Sequence, residues 1–463
     1  MKRSPEQLRQ DALAIWQAGV DAVKSERLVA ETLLFEDGLL IVDDHSIPLD
    51  EIDRIVVVGG GKAGVGMAIG VEQAFENPLV RNKRLSGWIN VPADCLVDEK
   101  TTKHIHLHAA RPAGVNEPTE DGVRGTEKIL QLIRSLGPRD LCIVLISGGG
   151  SALLPAPVEN ITLADKQQVT KFLSGAGANI AELNTVRKQL SRIKGGGLLE
   201  ECNARSVITL IISDVIGDPL DVIASGPTVA NTTTAADALQ ILESFEGARR
   251  EISSHVFDYL QQRGRLPSPP LSRAAVNLII GNNAVAVDAA GIEAERRGYS
   301  HAMSAATTLE GEAEAIGVNF AKMAIRMRDQ NGPDCLITGG EPVVQLADAS
   351  IRGKGGRNQQ LVLAAMKYLQ QHDKSDHLCN GIALLSGGTD GEDGPTDAAG
   401  AIIDRAICQQ AAQLQLDVQH SLNTNDAYTF FQQLKALIQT GPTHTNVCDL
   451  RVCVVERIET RRG

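Results

Sequence analysis

Aromatic residues are scarce, at 3% of 463 positions. Few ring faces are left on which nucleic-acid bases could stack. A basic excess is also missing: 45 Lys and Arg stand against 57 Asp and Glu, a net charge of -12 with a pI near 5.4. Nonspecific nucleic-acid binding needs a basic face, so that class is set aside. Small anionic ligands are not, because local placement of Lys and Arg decides those. No apolar run reaches membrane-spanning length, which argues against a membrane protein. There is no C-x-x-C. The eight cysteines (Cys95, Cys142, Cys202, Cys335, Cys379, Cys408, Cys448, Cys453) are scattered. Cys142, Cys335 and Cys453 lie in or beside apolar runs and read as buried reduced thiols. The opening M-K-R-S-P-E-Q-L does not read as a signal peptide, so a cytoplasmic location is expected. Ser4, Pro5 and Gln7 read instead as an N-cap, an N1 proline and a capping-box partner. A helix is expected from Glu6 to about Phe35.

What the chain has in quantity is glycine, 44 residues, much of it placed after short apolar runs. The length suggests two domains, and an apolar fraction of 43% suits a globular protein. The leading stretch is R-I-V-V-V-G-G-G-K-A-G-V-G, Arg54 to Gly66. Ile55 to Val58 read as a buried strand. Gly59, Gly60 and Gly61 then turn the chain without Cβ atoms, so backbone amides can approach an anion. A helix is expected from Ala63, its positive end at the turn, with Lys62 placed to meet a phosphate. Gly59, Gly61 and Gly64 satisfy G-x-G-x-x-G, a dinucleotide fingerprint. The acidic residue that fingerprint requires is missing from the end of the next strand, Gly87 to Val91. Walker-loop spacing is not met either, and Ala63 stands where a Ser or Thr would hold magnesium. A glycine turn serving only helix–strand packing is the bland reading.

His104, His106 and His108 alternate with apolar residues and should share one face of a solvated edge strand. A second strand–glycine unit runs from Leu141 to Leu154, with Ser147, Gly148, Gly149, Gly150 and Ser151 at its turn. G-x-S-x-G is absent, so an anion-binding turn fits better than a nucleophile elbow. Asn184 to Leu199 places Arg187, Lys188, Arg192 and Lys194 on a helix ending in glycines, ordinarily a solvated face. Val207 to Ile212 reads as a strand followed by Asp214 and Asp218, carboxylates suited to Mg²⁺ or to a plain turn. Arg263 to Ser272 has the proline density of a hinge. Beyond it the same grammar returns at Val276–Asn283, Cys335–Glu341 and Ile382–Gly391. Arg352 to Met366 carries Lys354 and Arg357 at a glycine-rich helix start, suited to phosphate or carboxylate. Thr389 to Gly400 holds Asp390, Glu392, Asp393 and Asp397 but fails EF-hand spacing. Alternating strands and helices imply an α/β protein of two domains, 1–265 and 266–463, each with a largely parallel sheet. In such sheets ligands bind beyond the strands' carboxyl ends.

Taken as an ordered set, these motifs resemble the glycerate 2-kinase family with its MOFRL C-terminal domain. They are G-G-G-K-A-G (59–64), S-G-G-G-S-A-L (147–153), N-T-V-R-K-Q-L-S-R-I-K-G-G (184–196), S-D-V-I-G-D (213–218), A-S-G-P-T (224–228), G-G-E-P (339–342), G-K-G-G-R-N-Q (353–359), T-D-G-E-D-G-P-T-D-A-A-G (389–400) and T-G-P-T-H-T-N-V (440–447). The resemblance implies two α/β domains, the first Rossmann-like, with the site in the cleft between them. It implies transfer of the ATP γ-phosphoryl group to the 2-hydroxyl of D-glycerate, with Mg²⁺. Lys62 and Arg357 become the essential cations, and Asp214 and Glu341 the acidic residues near the site. Nucleotide binding falls to Gly59, Gly60, Gly61, Gly64, Ser147, Gly148, Gly149, Gly150, Ser151, Glu341, Gly355, Gly356 and Asn358, and metal binding to Asp214 and Asp390. Whether Lys62 or Arg357 neutralises the phosphoryl group or clamps the carboxylate of glycerate is left open. Two departures stand out: Arg111–Pro112 where the family has His-Pro, and Asp426–Ala427 where it has Asp-Ser. The alternatives are an NAD(P)-dependent hydroxypyruvate reductase and a noncatalytic sugar-acid binder. Expected partners are D-glycerate and ATP, with no nucleic acid and no membrane; a homo-oligomer stays open.

Overall fold

The computed structural model describes residues 3–80, 83–96, 102–112, 114–265, 273–373 and 379–457. The chain divides into two units: Ser25–Ile280, and Met1–Lys24 together with Gly281–Gly463. This differs from the expected 1–265 and 266–463 at both ends. The N-terminal helix joins the C-terminal unit, and the division falls after a further strand. Most of the proposed hinge, 266–272, lies outside the described residues.

The unit Ser25–Ile280 opens with a helix, Ser25–Thr32, followed by a small antiparallel sheet of β1 (Leu34–Glu36), β2 (Leu39–Val42) and β3 (His45–Pro48). Its larger sheet contains β4 (Arg54–Gly60), β5 (Arg84–Pro92), β6 (Ile105–Arg111), β7 (Asp140–Ile146), β8 (Ser206–Ile212) and β9 (Val276–Gly281), in the order β6-β5-β4-β7-β8-β9. The run from β6 through β8 is parallel. All seven residues of β7 are buried, as a strand covered on both faces requires. Helices Gly64–Phe75 and Glu120–Arg134 are among those flanking it.

The other unit is built around the helix Pro5–Ala22, which begins with the expected Ser4–Gln7 capping box. It ends near Ala22 rather than Phe35, and a separate helix, Ser25–Thr32, follows. Trp16 is buried and its indole N–H donates to Gly387 O at 3.3 Å, fixing the helix on the sheet. That sheet contains β10 (His301–Ser304), β11 (Cys335–Gly340), β12 (Ile382–Gly388), β13 (Gly400–Asp404), β14 (Leu437–Ile438) and β15 (Asp449–Val455), in the order β10-β11-β15-β12-β13-β14. Only β10 and β11 pair in parallel; the other four pairings are antiparallel. The expectation of a second largely parallel sheet is corrected. The segment joining β12 to β13 holds no helix, and without a crossover a parallel neighbour cannot form. The final strand then inserts between β11 and β12.

Cys142, Cys335 and Cys453 are buried free thiols as expected, whereas Cys379 and Cys408 form a disulfide. β6 is the expected edge strand, with His106 exposed and His108 half-buried on it; both rings also pack against Trp88, ring centroids 4.0 and 5.2 Å away. No described helix is long and apolar enough to cross a membrane.

Candidate active site

From β4 the chain builds the first sheet outward through β5 and β6; from β7 it builds the other way through β8. The growth direction therefore reverses between β4 and β7. Such a switch point opens a crevice beyond the strands' carboxyl ends. Gly60 pairs with Ile146, so the two strands end level and both glycine turns lie side by side there.

The two turns are tied to each other. Lys62 N donates to Gly148 O at 2.8 Å, and Ala63 N to Ser147 Oγ at 3.0 Å. Gly61 N donates to Asn90 O, and Gly64 N to Gly61 O. The amides of residues 61–64 are thus used inside the protein, which corrects their expected role as an anion cradle. Glycine is needed here for close approach: a methyl group on Gly59 would overlap Leu145 O, and one on Gly61 would overlap Ser147. Ser147, 2% exposed, fastens the turns together and is no surface ligand. Among the described residues, the amides of Gly148 and Gly149 have no acceptor, and Gly149 is exposed with φ 77°. Of the two turns, the second is the one that keeps amides free for an acceptor. The helix after it, Gly150–Leu153, is a single turn and adds little dipole.

Charged side chains surround that second turn. The Asp214 carboxylate lies so close to Gly148 that a Cβ there would overlap it. At Gly149, Arg111 Nη2 and Lys62 Cγ lie 3.4 and 3.6 Å from where a Cβ would stand. Arg111 is buried; its Nη1 donates to Asn116 Oδ1 at 2.8 Å and to Val115 O, while its Nε has no partner. Burial lowers its pKa. The sequence flagged Arg111 only as a departure from a pattern; its distance in sequence from residues 147–151 concealed its place.

At Ser151 a second cationic group converges. Arg187 Nη2 donates to Ser151 Oγ at 2.7 Å, and Lys194 Nζ donates to the same oxygen at 2.6 Å. The helix there is Ile180–Gln189, so Arg192 and Lys194 lie beyond it, and Lys188 and Lys194 are buried rather than solvated.

In the other unit, Arg357 opens the helix Arg357–His372. Its guanidinium donates to both oxygens of Asp449 at 2.7 and 3.0 Å, and to Glu341 Oε1 at 2.9 Å. Burial alone would lower its pKa, but Asp449 and Glu341 outweigh burial and raise it. Arg357 and Glu341, expected separately as site residues, are in contact here; the buried Asp449 was missed. Gly355, Gly356 and Asn358 do not form an open cradle. Asp393 already accepts from Asn358 N at 3.0 Å and Gln359 N at 2.8 Å, and a Cβ on Gly356 would strike Asp393. Gly355 lies against Asn425 and Ala427. Burial pushes the Asp393 carboxyl up to about 7, against the lowering effect of those two amides. Asp390 sits in the loop after β12, its Oδ1 accepting from Glu392 N at 3.2 Å. Among the described residues there is no group of three or more His, Cys, Asp or Glu fit to hold a metal alone.

The chain matches the domain of unknown function DUF4147 over residues 11–261 and the MOFRL family over residues 334–449. Glycerate kinase from Rattus norvegicus is 36% identical, over 96% of this chain and 93% of that protein. D-glycerate 2-kinase from Thermotoga maritima is 35% identical, over 97% and 99%. The chain belongs to the glycerate kinase family. A crystal structure of glycerate kinase from Thermotoga maritima superposes with a TM-score of 0.81 at 33% identity, covering 97% of this chain and 100% of that one. A protein of Agrobacterium vitis named putative hydroxypyruvate reductase is also similar, 36% identical over 89% of each chain. Seen as a glycerate kinase fold, this chain puts its glycine turns at the switch point of the first sheet and Arg357 at the carboxyl end of the second, close to the ends of β11 and β12.

Proposed function

We propose that this protein transfers the γ-phosphoryl group of ATP to the 2-hydroxyl of D-glycerate, giving 2-phosphoglycerate and ADP. The observation that carries the reading is the second glycine turn. It presents two amides without acceptors, flanked by Lys62, Arg111 and the Asp214 carboxylate, in a chain of the glycerate kinase family. Phosphoryl transfer asks a protein for positioning and charge stabilisation rather than covalent chemistry. In this reading Gly148 and Gly149 donate to phosphate oxygens, and Lys62 neutralises charge as the phosphoryl group moves. Arg357 is the second essential cation, held in one orientation by Asp449 and Glu341.

Asp214 would hold Mg²⁺ through its carboxylate, the hard oxygen ligand that this ion prefers. Such an ion would supply Lewis-acid charge neutralisation for phosphoryl transfer. Asp390 stays the second candidate ligand. A cytoplasmic location and ATP–Mg²⁺ as the working nucleotide belong to the same reading.

Incubation with ATP and D-glycerate, followed by phosphorus NMR, tests it. The 2-phosphate is expected; absence of glycerate-dependent ADP sinks it. The reductase reading has the Agrobacterium vitis relative's name in its favour. Against it, the residue near the end of β5 is Asn90, not an acid, and its amide group donates inward to Gly122 O, Thr126 Oγ1 and Leu153 O. NADH consumption with hydroxypyruvate would revive that reading.

A further inference from the structure

The charge balance around Ser151 is unusual. Lys166, Arg187 and Lys194 are all buried or half-buried, and among the described residues none has a carboxylate partner. The neighbouring Lys188 has one, Asp221, at 3.2 Å, and Arg192 has Glu127. Uncompensated buried cations cost several kcal/mol each, roughly, so a protein retains them where an anion completes the site.

The cluster is also held with care. Ser151 Oγ accepts from Arg187 and Lys194 and lies 3.1 Å from Ser225 Oγ, which in turn donates to Asn184 Oδ1 at 3.2 Å. Lys194 Nζ also donates to Ser151 O at 2.9 Å. Ser225 reaches this position on a strained backbone: Ala224 and Ser225 have φ of 50° and 64°, both outside glycine. Such strain costs about 1–3 kcal/mol per residue and concentrates at functional sites. Lys194 is 5% exposed, so it stands behind the site, whereas Arg187 and Ser151 keep an exposed face.

We infer that Arg187, steadied by Ser151 and Lys194, grips the carboxylate of the small hydroxy acid on which this kinase acts. The inference rests on the kinase reading above and adds the group that recognises the acid. A guanidinium fork matches the two oxygens of a carboxylate. Lys194 is held well below its ordinary pKa by burial and then by Arg187, Lys166 and Lys188. With Lys194 buried behind Ser151, the group that meets the ligand here is the guanidinium of Arg187, whose fork suits a carboxylate. Ser151 is two residues from Gly149, at most about 7 Å along the chain. A three-carbon acid gripped at Ser151 would reach toward Lys62 and the amides of Gly148 and Gly149.

Steady-state kinetics and calorimetric binding on the full chain test this, with Arg187→Gln, Arg187→Lys and the unaltered protein. The ligands are D-glycerate and its neutral amide, glyceramide. Arg187→Gln should raise KM for D-glycerate about 10- to 100-fold, the worth of a charged hydrogen-bonded contact, with KM for ATP within about twofold. Its preference for the acid over the amide should collapse, and Arg187→Lys should recover part of it. The inference falls if Arg187→Gln keeps the acid preference, or if KM for ATP rises instead, which would make this a phosphate site. Should Arg187→Gln not fold, Arg187→Lys decides: it retains charge but not the fork, and an unchanged acid preference overturns the inference. If the unaltered protein binds D-glycerate through Arg187 without transferring phosphate, the kinase reading fails and the carboxylate site stands.

Discussion

The guanidinium of Arg357 is forked onto the carboxylate of Asp449, with nitrogen–oxygen distances of 2.7 and 3.0 Å and Asp449 wholly buried. The pair joins the first residue of a helix to the first residue of the last strand. Removing the buried partner is destabilising, though by less than the roughly 3–5 kcal/mol of a fully buried pair, because Arg357 is 34% exposed and keeps Glu341. Asp449→Ala should therefore lower the melting temperature clearly and free Arg357 to move, cutting kcat as well. A variant that melts and turns over like the unaltered protein would show that the pair orients nothing.

Lys62 is different, because its backbone amide ties the two turns together and that tie survives a change of side chain. Lys62→Ala should leave thermal stability nearly unchanged and reduce kcat on the order of 10²-fold, the usual loss on removing one charge-stabilising group. Circular dichroism melting beside turnover of ATP and glycerate checks both halves. Near-normal turnover would remove Lys62 from the chemistry.

Gly148→Ala would place a methyl group on the Asp214 carboxylate. The carboxylate must then shift, and its hold on Mg²⁺ should weaken about 10- to 100-fold. The Mg²⁺ concentration giving half-maximal rate should rise, and Asp214→Asn should raise it too. Equal Mg²⁺ dependence in all three proteins would exclude Asp214 as a ligand.

Two buried groups give opposite pH trends in stability. Asp393 is raised from 3.8 to about 7, so between those values the folded chain binds more protons than the unfolded one. Its contribution to stability is lost as pH rises through about 7. Lys166 is lowered from 10.5 to about 7, first by burial and then by Arg187. Here the unfolded chain binds more protons, so stability increases from pH about 7 toward 10.5. Denaturant melts across pH should show the falling limb weakened in Asp393→Asn and the rising limb flattened in Lys166→Met. Identical pH profiles in variants and parent would contradict the burial assignments.

Much of the architecture was legible in order of residues. β-branched runs at Ile55–Val58 and Val207–Ile212 are strands because buried parallel strands are apolar on both faces. The Ser4–Gln7 capping box is written in local sequence and forms as written. Strand direction in the second sheet was not legible, since direction depends on which end of the sheet the chain re-enters.

The sequence by itself determined where strands end in glycine, that Lys62 stands at one such end and Arg357 at a glycine-rich helix start, and which family the motifs resemble. Tertiary structure alone decided which amides are satisfied, because acceptors such as Asn90 O, Gly148 O and Asp393 come from segments distant in sequence. Of the two turns expected to meet an anion, it tied up the amides of residues 61–64 and left those of Gly148 and Gly149 without acceptors. It also turned Arg187 and Lys194 from an expected solvated face into a buried cluster on Ser151, since burial is a property of what packs over a residue and not of the residue itself.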